Sequence, residues 1–153
     1  MRSAYKYLAH TIAGLVAIQA AVMVFAIAGL YGWIQDGNTL TKSAMESQDL
    51  EFTGSIGFML HGVLGMMLIP LLALVLLIIS FFAKIPGGVK WAGIVLGLVV
   101  LQVALGLFGH ETPYSGMLHG LNALILFSAA IQAGRRVSTT PDSAAAPEVA
   151  AAR

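Results

Sequence analysis

Apolar residues fall into four long runs separated by short polar segments. This spacing predicts membrane-spanning helices over about residues 8–34, 56–83, 89–109 and 114–134. Each run reaches the roughly 20 residues that a bilayer span requires. The reading is therefore all-α: an integral membrane four-helix bundle occupying residues 1–136, with an alanine-rich, disordered cytoplasmic tail at 137–153. The first loop, 35–55, is polar and carries Gly37 and Gly54; a short amphipathic surface helix is weakly patterned over 40–50, and Thr53 or Ser55 is placed to cap the second span. Lys84-Ile85-Pro86-Gly87-Gly88-Val89-Lys90 reads as a tight turn, which makes spans two and three antiparallel neighbours. Thr112 followed by Pro113 reads as cap and first helical residue of span four. Pro70 predicts a mid-span kink that frees the carbonyl of Met66, and Gly93 with Gly97 form a weak helix-packing signature.

Composition supports this reading and charge orients it. Among 153 residues only 10% are charged and 58% are hydrophobic, far from the quarter charged that soluble domains carry. Arg2, Lys6, Lys84, Lys90, Arg135 and Arg136 flank one face, while Asp36, Glu46, Asp49, Glu51 and Glu111 lie on the other with only Lys42. The positive-inside rule then places both termini and the second loop in the cytoplasm of a bacterial inner membrane. Tyr5 and Tyr7 fall in the inner aromatic belt and Tyr31 and Trp33 in the outer one. The first run reaches a small-residue, cleavage-like Ala26-Ile27-Ala28 but is too long for a signal peptide and reads as an anchor. No basic patch is interleaved with aromatics, so nucleic acid is not a partner. The absence of cysteine excludes disulfides, iron–sulfur clusters, covalent c-type haem and thiolate ligation. Hydrolysis is also unsupported, because the spans hold no acidic residue to orient a histidine and Ser80 and Ser128 have no base nearby in sequence.

The chemistry concentrates in one short stretch that occurs twice. Phe58-Met59-Leu60-His61-Gly62 and Gly116-Met117-Leu118-His119-Gly120 share Met-Leu-His-Gly, and both histidines lie inside a span. Ionisable residues at that depth are costly and functional by default. The odd spans also match, Gly14-Leu15-Val16-Ala17-Ile18-Gln19 with Gly97-Leu98-Val99-Val100-Leu101-Gln102, so the chain reads as a tandem parallel repeat of a helical hairpin. The pseudo-two-fold axis of such a repeat runs along the membrane normal and sets His61 and His119 facing each other at equal height. Two opposed imidazoles suit an iron already held by four equatorial nitrogens, which predicts haem b with bis-histidine axial ligation by His61 and His119. Around them Gly65 and Gly106 leave room for a flat ligand. Gln19 and Gln102 bond each other or the porphyrin edge, and His110, Thr112 or Tyr114 is placed to meet a propionate. His10 reads as a half-solvated interfacial histidine.

The pair His61 and His119 on spans two and four, with Leu101-Gln102-Val103-Ala104-Leu105-Gly106 ahead of the outer loop, resembles one four-helix half of haem A synthase. That resemblance implies haem between those two histidines. The chain departs from the synthase in having a single half, no cysteines in the first external loop, and Gly57 and Phe58 where a catalytic carboxylate is expected, so a haem-hydroxylating activity is not implied. The whole chain resembles small actinobacterial four-helix membrane proteins of unknown function.

Bis-histidine ligation leaves no open iron position, so the expected role is electron transfer near the outer face, with the bilayer as environment and a quinol or a redox protein as partner. A homo-oligomer or a larger membrane complex is compatible. A second reading is a copper site of His61, His110 and His119 with Met59, Met66 and Met117. A third is a structural accessory subunit without cofactor, whose histidines and glutamines only tie helices together.

Overall fold

The computed structural model describes residues 1–47, 51–109 and 112–137. The tail beyond 137, together with His110 and Glu111, lies outside the described residues, as do the last positions of the surface helix expected over 40–50. Six α-helices are described: α1 (Arg2–Gln35), α2 (Lys42–Ser47), α3 (Ile56–Val63), α4 (Ile69–Ala83), α5 (Gly88–Phe108) and α6 (Pro113–Arg135). A π-helical turn, Leu64–Leu68, joins α3 to α4. Four stretches are long and apolar enough to cross a membrane: α1, the continuous Ile56–Ala83, α5 and α6. The protein is a multi-pass membrane protein whose spans run up, down, up and down.

Local chemistry sets the ends of these elements. Thr112 caps α6, its Oγ1 accepting from the Ser115 N–H at 3.2 Å with Pro113 at the first helical position. Thr41 does the same for α2, accepting from Ala44 at 3.2 Å. Ser55 stands at the start of α3 but makes no side-chain cap, because its own backbone is already helical (φ −53°, ψ −36°) and its hydroxyl does not reach the first turn. Span two ends on Lys84, which takes the left-handed conformation (φ 51°), and Gly87 (φ 71°) reverses the chain into α5.

Packing in lipid gains nothing from apolar transfer, so close approach of backbones has to supply it. Half of the buried apolar side chains among the described residues are alanines, with Ala9, Ala13, Ala73, Ala92, Ala130 and Ala133 all at 0–1% exposure. The inward line of α5 is Gly88, Ala92, Val95 and Val99. Gly93 and Gly97 lie one or two residues off that line, and a Cβ on either would meet nothing within 4 Å. The expected glycine signature is thus on the outside of the bundle, and Ala92 takes its role. Tyr5 also departs from the expected belt: it is fully buried and donates its hydroxyl to the Gly88 carbonyl at 2.9 Å, tying α1 to the first residue of α5, while Tyr7 stays exposed.

The core is confined to the half of the bundle that carries the termini. The core cluster takes Tyr5 to Val16 of α1, Ile69 to Ala83 of α4, Ala92 to Val99 of α5 and Leu126 to Ala133 of α6, while Gln19 and Ala26 of α1 are buried outside it. In the other half α1 and α3 form a tight pair through Gly29, Gly54 and Gly57. A Cβ at Gly29 would strike the Thr53 carbonyl and one at Gly57 the Val22 carbonyl, so only glycine permits this approach. Trp33, Phe52 and Phe58 stack along the same seam, with ring centres 6.3 and 6.2 Å apart. Beyond the core the inward residues of α5, Gln102 to Gly106, are only half-buried.

The π-turn replaces a simple proline kink. Ile69 donates to the Leu64 carbonyl, five residues back, and Pro70 follows in the first turn of α4. The reason lies in the inward line of span two. His61, Gly65, Ile69 and Ala73 are spaced by four, so three turns consume 12 residues where an α-helix uses about 10.8. The extra residue is absorbed by the wider π-turn, which keeps His61 on the same face as Ile69, Ala73, Leu76 and Ser80, the buried residues of α4.

Candidate functional site

His61 on α3 and His119 on α6 come together at the rim of the core, with ring centres 6.0 Å apart and planes inclined at 54°. Each ring is held in the same way by the neighbouring span. His61 Nδ1 lies 3.2 Å from the backbone carbonyl of Gln19, and His119 Nδ1 lies 3.0 Å from that of Gln102. A carbonyl only accepts, so each Nδ1 carries the proton. In the neutral imidazole the lone pair then resides on Nε2. This is the arrangement that orients metal-bound histidines in proteins, where the second ring nitrogen donates to a carbonyl and fixes the tautomer.

The glutamine side chains part company. Gln102 donates from Nε2 to the His119 carbonyl at 3.0 Å and accepts at Oε1 from Asn122 Nδ2 at 2.6 Å. Asn122 also donates to the Leu98 carbonyl at 3.0 Å. The Gln19 carboxamide is buried among α1 and span two, and neither of its polar atoms has a partner among the described residues. The expected Gln19–Gln102 hydrogen bond therefore does not form.

Both glycines of the expected site lie against these groups. A Cβ on Gly106 would sit 3.1–3.2 Å from the His119 ring, so that glycine admits the imidazole. A Cβ on Gly65 would stand 3.7–3.9 Å from the Gln19 carboxamide. His10 is remote from the pair: it is half-buried at the end bearing the termini, donates from Nδ1 to the Lys6 carbonyl at 2.8 Å, and rests on Gly134.

Among the described residues no three of His, Cys, Asp and Glu gather as a metal-binding group. Met59, Met66 and Met117 are 56–65% exposed on the outside of the bundle, away from the histidines. Among the described residues the donors at the rim are thus the two imidazoles of His61 and His119. Two imidazoles held through Nδ1 suit a metal whose other positions come from a macrocycle.

Asn122 escaped the sequence reading. Its signal was a lone carboxamide three residues after His119, on the same helical face, inside an apolar run. The π-turn left a fainter one, the four-residue spacing from His61 to Ala73.

Residues 51–109 match the model of a family of unknown function (DUF6220). The matched segment spans α3, the π-turn, α4 and α5, and so includes His61, Gly65 and Gln102 but neither Gln19 nor His119. No curated protein and no solved structure matches the chain.

Proposed function

We propose that the protein is a membrane cytochrome of the b type, binding haem b between His61 and His119 and transferring electrons near the outer face of a bacterial inner membrane. The observation that carries this reading is the close pair of imidazoles, 6.0 Å between centres, each with its Nδ1 proton committed to a glutamine backbone carbonyl. Both carbonyls keep their histidines in the tautomer that ligates through Nε2. His61 and His119 would hold the haem, which would supply a one-electron couple.

The tandem repeat belongs to the same proposal. The inward residues Tyr5, Ala9, Ile12, Val16 and Gln19 of α1 match Gly88, Ala92, Val95, Val99 and Gln102 of α5 at a constant offset of 83 in residue number. His61 and His119 occupy like places on the following spans. The uneven distribution of Lys and Arg supports cytoplasmic termini, and a quinol or a redox protein remains the class of partner such a couple requires.

The alternative favoured by a specific observation is a structural accessory subunit: the chain Asn122–Gln102–His119 ties α5 to α6 without any cofactor. Optical spectra of the detergent-purified protein, oxidised and dithionite-reduced, separate the two. The cytochrome gives a Soret band and a sharp reduced alpha band, lost or converted to high spin in His61→Ala and His119→Ala. A protein that stays colourless after expression with added haem defeats the cytochrome reading.

A further inference from the structure

The Gln19 carboxamide has no role in holding the histidines, since only its backbone carbonyl touches His61. Gln19 is 7% exposed, and its Nε2 and Oε1 are both without partners among the described residues. Buried polar groups in native proteins are almost always satisfied, by protein or by a bound molecule. Its counterpart shows where a partner belongs. Asn122, three residues after His119, fills the inward position of α6 and bonds Gln102. The π-turn brings Gly65, four residues after His61, to the inward line of span two, and Gly65 has no side chain to offer. A Cβ there would stand in ordinary contact, 3.7–3.9 Å from the Gln19 carboxamide, so one heavy atom has space beside it.

We propose that the position facing Gln19 at Gly65 binds one hydroxyl-type oxygen, which accepts from Gln19 Nε2 and donates to Gln19 Oε1. The same hydrogen bonds are made by an internal water or by the hydroxyl of a membrane-soluble hydroquinone. Because the Gln19 backbone holds His61, this oxygen sits beside His61 and has no equivalent beside His119, where Asn122 closes the position. The site makes the two histidines chemically unequal, and it does not depend on a bound haem.

The test uses the full chain, haem-free, in lipid nanodiscs, with 15N-labelled glutamine side chains and Gln19 assigned through Gln19→Met. Cross-relaxation between the Gln19 amide and water is recorded first, followed by titration with 1,4-hydroquinone. A water cross-peak places water in the site. A saturable hydroquinone shift places a ligand hydroxyl there. Either supports the proposal if it vanishes in Gly65→Asn, whose carboxamide fills the position and raises Tm. Gly65→Ser, which supplies the oxygen covalently, silences both signals should the asparagine variant fail to fold. Absence of both signals in the native protein, or their persistence unchanged in a folded Gly65 variant, overturns the proposal.

Discussion

Asn122 donates to Gln102 Oε1 at 2.6 Å, while Gly65, at the like position of span two, gives Gln19 no partner. One half of the bundle therefore carries a completed carboxamide pair, and the other an open one. The difference lies in a single extra residue in span two and the π-turn that absorbs it. The consequences extend from stability to the behaviour of the histidines.

Removing Asn122 should destabilise the bundle. Asn122→Leu leaves the half-buried Gln102 Oε1 without its donor, and the cost is about 1 kcal/mol, at the lower end for side-chain bonds because membrane bundles average less than soluble proteins. Gln102→Leu together with Asn122→Leu should recover most of that loss, since neither polar group then remains. Reversible unfolding in mixed micelles, run as a double-mutant cycle, measures the coupling.

The seam between α1 and α3 should resist any added side chain. Gly57→Leu drives atoms into the Val22 carbonyl and against Ala26, with an expected loss of about 1–3 kcal/mol or failure to fold. Gly14→Ala, where nothing lies within 4 Å, should instead gain roughly 0.5–1 kcal/mol from helix propensity. Thermal unfolding of the two variants in the same detergent gives shifts of opposite sign.

Deleting Met67 should be tolerated. This residue is 68% exposed within the π-turn, and its removal converts the turn to α-helix while leaving His61 and Ala73 on one face. Deleting Leu77 from α4 has no such relief and rotates everything after it by about 100°. The first variant is expected to be within about 1 kcal/mol of native, as for an ordinary substitution, and the second to unfold or aggregate on size-exclusion chromatography.

Gly106 is the position through which the His119 ring can be moved. A methyl group there meets the imidazole at 3.1–3.2 Å, so Gly106→Ala should shift the ring off the Gln102 carbonyl without changing the fold. In a haem-loaded sample the reduced alpha band should broaden and a high-spin fraction appear, while circular dichroism stays native. An unchanged spectrum at full haem occupancy would remove His119 from the ligand set.

The four spans, the tight turn before α5 and the pairing of Thr112 with Pro113 follow from sequence because they depend on local quantities: run length, turn chemistry and cap geometry. The twin histidines were equally legible, since a polar ring in an apolar run stands out wherever the helix points. Tyr5 and the glycines at 93 and 97 were not, because a membrane helix is apolar on every side. Its inward face is then chosen by which side chains are small enough to let backbones meet, a property of helix pairs. The partners of Gln19 and Gln102 were decided at the same level. Whether a carboxamide finds an asparagine or a glycine depends on the rotation of a neighbouring helix, and here one π-turn sets that rotation.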